Sequence, residues 1–322
     1  MPDLSIVIVS WNTRELLREC LSSIYAEPSG LALEVFVVDN GSTDGSAAMV
    51  RESFPQVELI ETGENLGFAK ANNLAFARCT APVVVLLNSD ATLQGNALRI
   101  LLRFLEEHPN VAVVGPKLIH PRLQLSVLGC GAQPTLRRVI NHYLFLARLF
   151  PHVSAFEGLH YYLGVHDDRP RPVGWIAGTC FMVRREIIEK VGGLSETWFM
   201  YAEDVEWCAR IRATGAEIFH VPDAVVEHHL GASTEQHSQA HILPIQAGRE
   251  LFIQMNRPSR WELFLHDAVR VFGLGIRSVA YFVRSFFAPP DKARMWRSKA
   301  RTFSAYSRAA AGLLRPHQRK AA

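Results

Sequence analysis

Short apolar strands that each end at a polar residue are the feature of this chain that most restricts its fold. The segments Leu4–Ser10, Glu34–Asp39 and Val83–Leu87 are rich in β-branched residues, and amphipathic helical segments separate them. Strands that alternate with helices predict a parallel sheet with right-handed crossover connections. Ligands of open α/β sheets bind beyond the carboxyl ends of the strands, so the polar residues at these ends are the first candidates for a site.

The later part of the chain gives weaker signals. The segment Pro116–Pro172 has little periodicity, so we expect irregular structure there, with one short helix near residues 136–149. Trp175–Val183 is strand-like, and Ala216–Val221 predicts a strand that ends before Pro222. From about residue 239 the pattern is helical to the end. We therefore expect a domain over residues 1–238, with halves at about 1–115 and 116–238, and a helical extension over residues 239–322.

Charge and cysteine content restrict the partners and the compartment. The chain has 322 residues and a net charge of +3, but residues 257–322 hold 14 Lys and Arg against three acidic residues, so the remainder carries −8. A basic tail of this kind predicts an anionic partner. The five cysteines are odd in number and none forms a Cys-x-x-Cys pair, which favours a reduced, cytoplasmic compartment. The N-terminus lacks the pattern of a signal peptide.

Two turns at strand ends are the strongest candidate sites. Asp39 precedes an Asn-Gly-Ser-Thr turn, where a carboxylate can accept hydrogen bonds from ribose hydroxyls or a base N–H; alternatively, Ser42 or Asp44 only caps the next helix. Asn88–Asp90 repeats this placement, and a carboxylate just past a buried strand suits a divalent metal that bridges a diphosphate. A capping turn is again the alternative, but two such turns at equivalent positions favour a site.

Glycines and amides add weaker candidates. Asn65 and Gly67 precede a helix that carries Asn72, so backbone can approach a ligand closely there and the amides can bond a base or sugar. An Asn-x-Gly sequence is also an ordinary turn. Trp175 and Gly178 lie in a strand-like segment with a small-residue step, which forms either a flat wall under a sugar or an ordinary core strand.

Acidic and imidazole side chains supply the candidates for chemistry. Glu203 and Asp204 follow an aromatic segment, and adjacent carboxylates there can have one pKa raised, as a general base requires. The alternative is an acidic first turn that the helix dipole stabilises. His228, in a His-His pair after an apolar segment, either completes a metal site with Asp90 or lies on the surface.

Taken together, these segments closely resemble the inverting family 2 glycosyltransferases, in particular their rhamnosyltransferase-like branch. The resemblance covers roughly residues 4–235. It is carried by Ile8–Asn12, Val37–Ser46, Asn65–Ala69, Leu87–Asp90, Gly115–Leu118, Gly178–Arg185, Tyr201–Val205 and His228–Ser233.

The resemblance implies an α/β fold of the GT-A type, a Rossmann-like and mostly parallel central sheet flanked by helices, here with a C-terminal helical extension. It implies that Asp39 binds the nucleoside and that Asp90 binds Mg²⁺ or Mn²⁺ at the diphosphate. The residues expected to bind the nucleotide-sugar are Ser10, Asn12, Asp39, Asn40, Asn65, Gly67, Asn72, Asn88, Ser89, Asp90, Trp175 and Gly178.

The same resemblance implies that Asp204 is the general base, with Glu203 as the alternative. Asn88 replaces the first Asp of the family's metal-binding motif, so the metal would depend more on Asp90 and His228, with His229 as the alternative imidazole. It further implies dTDP-L-rhamnose as donor and a glycan or polyprenyl-linked acceptor in cell-surface polysaccharide synthesis. Galactofuranosyl and other UDP-sugar donors stay open, and a non-catalytic nucleotide-sugar-binding subunit is the rival from another class. A processive synthase is disfavoured because no Gln-x-x-Arg-Trp segment is present.

The helical extension predicts contact with a membrane surface. Trp261–Phe287 is apolar but contains several charged residues, which argue against a spanning helix. Arg270, Arg277 and Arg284 recur every seven residues, so we expect one helical face of arginines toward lipid headgroups and a peripheral location at the inner face of the cell membrane. The alternative is packing on the catalytic domain or on a second copy of the chain. No nucleic-acid-binding motif is present, so nucleic acid is not an expected partner.

Overall fold

In the computed structural model the chain divides into two compact units. The structure describes residues 1–27, 30–121, 129–160, 169–229 and 243–314. The N-terminal unit comprises Met1–Gln133 and Tyr161–Ser238, and the C-terminal unit comprises Pro134–His160 and Gln239–Ala322. The segment from residue 134 to 160, which we expected within the half at about residues 116–238, therefore belongs with the C-terminal helices. The expected boundary at residue 238 lies outside the described residues.

The N-terminal unit alternates strands and helices through its first half, as the sequence predicts. Its strands are β1 Leu4–Ser10, β2 Leu33–Asp39, β3 Glu58–Glu61, β4 Val83–Leu87, β5 Ala91–Gln94, β6 Val111–Ile119, β7 Cys130–Gly131, β8 Arg171–Pro172, β9 Trp175–Ile176, β10 Cys180–Arg184 and β11 Glu217–His228. Its helices are α1 Arg14–Ala26, α2 Ser46–Ser53, α3 Phe68–Phe76, α4 Ala97–Glu107, α7 Arg185–Val191 and α8 Glu203–Ala213.

Among the described residues, nine strands form the central sheet in the order β3-β2-β1-β4-β10-β6-β11-β5, with β8 paired to β11 outside this path. The strands β3, β2, β1 and β4 are parallel, and so are β6 and β11. β10 runs antiparallel between β4 and β6, and β5 runs antiparallel to β11. The predicted α/β fold, a mostly parallel sheet flanked by helices, is confirmed.

Apolar residues cover both faces of this sheet. On β1, Leu4, Ile6 and Ile8 pack with residues of α1, α2 and α4, whereas Val7 packs with residues of α3, α7 and α8 on the other face. Side chains alternate between the faces of a strand, so a strand buried on both sides has a continuous apolar sequence. This explains why the sequence alone predicted β1 and β4.

Three strands differ from the sequence prediction. Trp175–Val183 is two strands, β9 and β10, because the intervening Gly178 and Thr179 lie outside the ladder. β11 does not end before Pro222 but continues to His228, with a register shift between Val221 and Val225 that accommodates the proline. The short β5 had too few residues to give a signal.

The C-terminal unit is helical in its described residues. Its helices are α5 Leu136–Tyr143, α6 Leu146–Leu149, α9 Leu243–Asn256, α10 Arg260–Phe286 and α11 Pro290–Leu314. A capping box of Ser259 and Glu262 begins α10. The hydroxyls of Ser278 and Ser307 reach across the α10–α11 contact to the carbonyls of Ala300 (2.8 Å) and Val271 (3.0 Å). Across the described ranges, none of the helices combines the length and apolarity that a bilayer span requires.

Two of the three arginines that recur along α10, Arg270 and Arg277, point into the unit, against our prediction. Arg270 is buried and donates to the carbonyl of Ile245 (2.9 Å), and Arg277 donates to the carbonyl of His142 (3.0 Å). Arg284 lies over the ring of Trp296, 4.4 Å from its centroid. The expectation of an arginine face toward headgroups is therefore wrong for Arg270 and Arg277, whose guanidinium groups donate to carbonyls of the same unit. Arg284 is exposed and stacks on Trp296.

Glu34, near the start of β2, joins three segments of the N-terminal unit. Its Oε1 accepts hydrogen bonds from the backbone nitrogens of Thr80 (2.6 Å) and Ala81 (2.9 Å) and from the hydroxyl of Ser5. Burial alone would raise the pKa of Glu34, but the hydrogen bonds from Ser5, Thr80 and Ala81 outweigh it and lower the pKa. The ionised carboxylate therefore stabilises the folded state.

We expect Glu34→Ala to lower the free energy of unfolding by about 2–3 kcal/mol at neutral pH, because two backbone donors lose their acceptor. A depressed pKa means that the ionised group stabilises the fold above the ordinary glutamate pKa, and that this stabilisation is lost as the pH falls through the folded-state pKa. Urea denaturation of both proteins should thus show a smaller difference in acid. Glu61→Ala, which removes an exposed pair with Arg51, should change little at any pH. A difference that does not vary with pH would contradict this account of Glu34.

Candidate active site

The carboxyl ends of β2, β1 and β4 bring the predicted strand-end residues side by side. Ser10 pairs with Asp39 in the parallel register of β1 and β2. From Ser10 a chain of hydroxyls leads to the turn after β4: Ser10 Oγ lies 3.0 Å from Thr13 Oγ1, which lies 2.9 Å from Ser89 Oγ. The two predicted turns therefore flank β1 at the same edge of the sheet, as expected from sequence.

Asp39 is buried and half-satisfied. Its Oδ1 accepts a hydrogen bond from the backbone nitrogen of Ser42 (2.9 Å), whereas Oδ2 is buried and has no hydrogen-bond partner among the described residues. A buried carboxylate oxygen without a partner is costly, and a ligand donor would satisfy it. Asn12, at φ 51°, holds the same turn from β1, because its Oδ1 accepts from the backbone nitrogen of Thr43 (2.8 Å).

Asn40 and Asn65 form a small amide network beside Asp39. Asn40 Nδ2 donates to Asn65 Oδ1 (2.9 Å), and Asn65 Oδ1 also accepts from the backbone nitrogen of Gly67 (3.0 Å). Asn40 Oδ1 accepts from the backbone nitrogen of Leu66 (2.9 Å). Asn72 is buried in α3, and its Nδ2 donates to the carbonyl of Phe68 (2.9 Å). These amides therefore hold the loop in place, and Asn72 supports α3 from inside its own helix.

Asp90 and His228 meet where β5 pairs with β11. Asp90 Oδ1 lies 3.2 Å from His228 Nε2, both side chains are buried, and His228 Nδ1 has no hydrogen-bond partner among the described residues. His229 turns elsewhere, with its Nε2 3.9 Å from Glu19 Oε2. Asn88 is partly exposed at the same turn and its backbone nitrogen donates to the carbonyl of Thr179 (2.9 Å).

The pairing of Asp90 with His228 joins residues that are 138 positions apart, and the antiparallel register His228↔Ala91 produces it. In the described part of the chain, no three or more His, Cys, Asp or Glu side chains form a metal-binding group. The Gly231–Ser233 part of the histidine motif lies outside the described residues. The geometry thus brings two potential ligand atoms together, Asp90 Oδ1 and His228 Nε2.

Glu203 and Asp204 begin α8 in different environments. Asp204 is partly exposed, and its Oδ2 accepts from the backbone nitrogen of Gly178 (3.1 Å) while Oδ1 accepts from that of Val205 (2.8 Å). Glu203 is buried, and its Oε2 has no hydrogen-bond partner among the described residues. Burial and then the negative charge of Asp204 raise the pKa of Glu203. Burial also raises the pKa of Asp204, although the two backbone donors oppose this.

A strained turn places this acidic pair. Tyr201 and Ala202 both have positive φ, at 73° and 75°, a conformation that costs free energy in residues other than glycine. Just before them, the carbonyl of Phe199 accepts from the backbone nitrogen of Phe68 (3.0 Å). The loop that carries Glu203 and Asp204 is therefore attached to the segment Asn65–Phe68, although 131 residues separate Phe68 from Phe199.

Sequence reasoning missed Thr13 and Phe199 as members of the site. The side chain of Thr13, at the start of α1, bridges two strand ends. Phe199 contributes a backbone carbonyl, which no side-chain pattern reveals. Trp175 is buried in β9 and its Nε1 donates to the carbonyl of Ala132 (3.1 Å), so that its ring belongs to the core. Gly178 reaches the site through its backbone nitrogen.

Gly67 is required by contact as well as by conformation. It has φ 83°, and a Cβ there would lie 2.5 Å from the carbonyl oxygen of Phe199. Gly63 has a similar φ of 76°, but a Cβ there would meet no atom within 4 Å. Both glycines therefore carry the cost of a positive φ, and only Gly67, at ψ 174° in a region that glycine alone populates, also carries the cost of the contact.

We expect Gly63→Ala to cost about 1 kcal/mol of unfolding free energy and Gly67→Ala at least about 1–2 kcal/mol more. Urea denaturation measures both values. Hydrogen exchange should also be faster at the Phe68 amide in Gly67→Ala only, because the new methyl separates that amide from the Phe199 carbonyl. Equal costs and unchanged exchange would show that the loop of Phe199 is not held by this contact.

Comparison with known proteins gives two matching family models and several relatives. The model of glycosyl transferase family 2 matches residues 5–123, and that of glycosyl transferase family group 2 matches residues 83–261, more than half of the chain. An N-acetylglucosaminyl-diphospho-decaprenol L-rhamnosyltransferase of Mycobacterium tuberculosis is 29% identical over 282 residues, which are 83% of this chain and 89% of that protein. The low-salt glycan biosynthesis hexosyltransferase Agl10 of Haloferax volcanii is 26% identical over 68% of this chain and 64% of that protein.

Solved structures share the fold at lower identity. The mannosyltransferase PcManGT of Pyrobaculum calidifontis, in complex with GDP-Man and Mn²⁺, superposes with a TM-score of 0.60 at 21% identity, over 97% of this chain and 87% of that chain. GalNAc-T7 with UDP, GalNAc and Mn²⁺ gives 0.58 at 13% identity, over 94% of this chain and 55% of that chain. With the motifs, the sheet and a family model over more than half of its length in agreement, the chain belongs to glycosyltransferase family 2 and is similar to its rhamnosyltransferase-like branch.

Proposed function

We propose that this glycosyltransferase transfers a sugar from a nucleotide-sugar with inversion at the anomeric carbon, and that Asp204 is the base of the reaction. The observation that carries the proposal is the acidic pair at the start of α8. One carboxylate is partly exposed and held by two backbone donors, and the other is buried with an unpartnered oxygen. Such environments give neighbouring carboxyl groups different protonation states.

In the proposed reaction, Asp204 accepts the proton of an acceptor hydroxyl while the acceptor oxygen forms a bond to the anomeric carbon. The bond from that carbon to the diphosphate breaks on the opposite face, and the nucleoside diphosphate leaves with the bonding electrons. The raised pKa of Asp204 makes it a better base than an exposed aspartate. Glu203, with its pKa raised by burial and by the neighbouring charge, stays protonated beside it. Glu203 as the base is the alternative.

The strand-end residues would bind the nucleotide. The unpartnered Oδ2 of Asp39 is suited to accept from a ribose hydroxyl or a base N–H. The hydroxyls of Ser10 and Ser89 lie along the same edge, and Asn40 and Asn65 hold the loop over it. We assign the other predicted binding residues, including Asn12, to the support of these turns.

Asp90 and His228 fit a divalent cation. Two ligand atoms of one octahedral Mg²⁺ or Mn²⁺ lie about 3 Å apart, close to the 3.2 Å between Asp90 Oδ1 and His228 Nε2. Few protein ligands suffice for such a cation, because diphosphate and water oxygens fill the other positions. When bound, the cation would neutralise the charge that develops on the leaving diphosphate. Mn²⁺ in the complexes of the two solved glycosyltransferases supports this assignment.

For the donor we propose dTDP-L-rhamnose and for the acceptor a polyprenyl diphosphate-linked glycan in cell-surface polysaccharide synthesis. The support is the mycobacterial relative, whose name states L-rhamnose transfer to N-acetylglucosaminyl-diphospho-decaprenol and which aligns along 89% of its length. A lipid-linked acceptor would place the enzyme at the cytoplasmic face of the cell membrane. A non-catalytic nucleotide-sugar-binding subunit is disfavoured because it would have no need of the acidic pair at the start of α8.

A donor panel tests this assignment. Calorimetric titration with Mn²⁺ should show the tightest binding for dTDP-L-rhamnose among dTDP-L-rhamnose, UDP-galactofuranose, UDP-N-acetylglucosamine and GDP-mannose. Tighter binding of a UDP- or GDP-sugar would replace the rhamnose assignment and leave the family reaction intact. Binding of none of them, with Mn²⁺ or Mg²⁺, would contradict the nucleotide-sugar site itself.

Release of nucleoside diphosphate from the preferred donor tests the base. We expect Asp204→Asn to lower the rate about 10²–10⁴-fold, because no group remains to accept the proton. Glu203→Gln should keep the rate within about threefold, since glutamine resembles the protonated glutamate. Asp223→Asn, at an exposed position of β11, is the matched control. A loss in Glu203→Gln with activity kept in Asp204→Asn would exchange the two roles.

The pH profile adds an independent readout. The rate requires ionised Asp204, so it should fall as the pH falls through the raised pKa of that group, at higher pH than an ordinary aspartate would give. Glu203→Gln should leave this acidic limb in place, because Glu203 is neutral when Asp204 ionises. An acidic limb that moves in Glu203→Gln would contradict the assignment of a neutral Glu203.

His228→Ala should weaken Mn²⁺ binding about tenfold or more, because it removes one of two converging ligands. Electron paramagnetic resonance of free Mn²⁺ measures the affinity in the presence of nucleoside diphosphate and without turnover. His229→Ala is the control, since its imidazole lies near Glu19 instead. The opposite order of effects would assign the metal to His229.

A further inference from the structure

The 27-residue helix α10 exposes a row of apolar side chains and buries the charged side chains of Asp267 and Arg270. Six exposed side chains form what we call the apolar stripe: Trp261 (67% exposed), Phe264 (52%), Phe272 (59%), Ile276 (39%), Val279 (63%) and Phe286 (63%). Their spacing of three, four, seven or eight residues puts them on one side of the helix. The stripe is about 37 Å long at the rise of an α-helix. Exposed apolar surface of this extent marks an interaction site.

The opposite face of α10 is polar and already occupied. Asp267 is buried between Arg249 Nε (2.7 Å) and His266 Nδ1 (2.8 Å). Arg270 is buried against the carbonyl of Ile245, and the guanidinium of Arg277 lies 4.4 Å from the ring centroid of Phe145. If the helix rotated to turn the stripe inward, these charged side chains would lose their partners. The outward orientation of the stripe is therefore a property of the folded unit.

The neighbouring helix α11 adds positive charge. It packs along α10 through the Ser278–Ala300 and Ser307–Val271 hydrogen bonds. Its sequence contains one acidic residue, Asp291, against six basic residues whose side chains are exposed: Lys292, Arg294, Arg297, Lys299, Arg301 and Arg308. The apolar stripe beside a basic helix is complementary to a partner whose interior is apolar and whose boundary is anionic.

We infer that α10 and α11 form a docking surface for an anionic lipid bilayer, with the apolar stripe inserted among the acyl chains and the basic side chains of α11 at the headgroups. Aromatic and aliphatic residues on one side with Lys and Arg nearby are what interfacial binding requires. A second copy of the chain fits less well, because pairing two stripes would bring two basic α11 helices toward one interface. This inference goes beyond the proposed reaction and does not depend on the donor or the acceptor.

The arrangement differs from the one expected from sequence in a way that changes the test. Arg270 and Arg277 support the unit from inside, so their removal would destabilise the fold rather than report on lipid. The residues of the stripe and the six basic side chains of α11 are exposed, so they can be replaced with less effect on the fold. The variants are accordingly taken from these two sets.

The experiment is flotation of the full chain with vesicles of neutral phosphatidylcholine, and with vesicles that also contain anionic phosphatidylglycerol. Wild type should bind the anionic vesicles, and more weakly at high salt. Phe272→Ser with Val279→Ser should weaken binding at least about tenfold. Leu149→Ser with Val153→Ser, two exposed apolar positions of the same unit outside α10, should leave it unchanged. Arg297→Ser with Arg301→Ser should weaken binding to anionic vesicles about tenfold or more.

Donor binding by calorimetry and unfolding curves are measured on the same variants, so that a failure of the lipid inference stays separate from a failure of the proposed reaction. Absence of wild-type binding to anionic vesicles would overturn the inference, as would equal losses in the stripe variant and in Leu149→Ser with Val153→Ser. Analytical sedimentation tests the alternative that a second copy of the chain covers the stripe. If the wild type does not bind vesicles but forms a concentration-dependent dimer that only the stripe variant abolishes, the stripe is a dimer interface.

Discussion

The parallel alignment of β1 with β2 and β4 determines where the polar residues of the site lie. Backbone hydrogen bonds set this register, and it places the ends of the three strands at one edge of the sheet. Because the strands are buried on both faces, polar groups can leave the core only at these ends. Asp39, Ser89 and Asp90 therefore stand together although 51 residues separate the first from the last. The hydroxyl of Thr13 then connects the two turns.

The reacting end of the site depends on a different kind of contact. The acidic pair of α8 is positioned by backbone groups, the nitrogen of Gly178 on one side and the carbonyl of Phe199 on the other. Glycine at position 67 lets the backbone approach the carbonyl of Phe199, and glycine at position 178 leaves room for the ring of Phe68. The rest of the fold supplies the free energy that keeps these two carboxyl groups away from water. This burial raises both pKa values.

Local sequence patterns were sufficient to predict the structure of the first half of the N-terminal unit but not that of the rest. The continuous apolar sequences of β1 and β4 predicted buried strands, and the polar residues after them predicted a nucleotide-binding site at that edge of the sheet. The sequence offered the pairing of Asp90 with His228 only as one of two alternatives, because contact between distant segments leaves no local signal. The heptad of arginines in α10 indicated one helical face correctly, but Arg270 and Arg277 point into the unit and only Arg284 is exposed. Arginine is stable either in water or against carbonyls and aromatic rings, so the sequence did not determine its direction. Pro222 was taken as the end of β11, but a register shift lets the strand continue.

Residues 134–160 belong to the C-terminal unit, so this unit is built from two segments that the ribosome synthesises at different times. The chain supplies α5 first, and α10, whose Arg277 meets the carbonyl of His142, begins 117 residues after α5 ends. At the usual speed of a ribosome this interval is roughly 6–24 s. The last strand of the catalytic sheet, β11, ends 32 residues before α10 begins. All residues of the candidate active site are thus synthesised before the helix that carries the apolar stripe. The proposed catalytic residues therefore leave the ribosome before the proposed lipid-docking surface does.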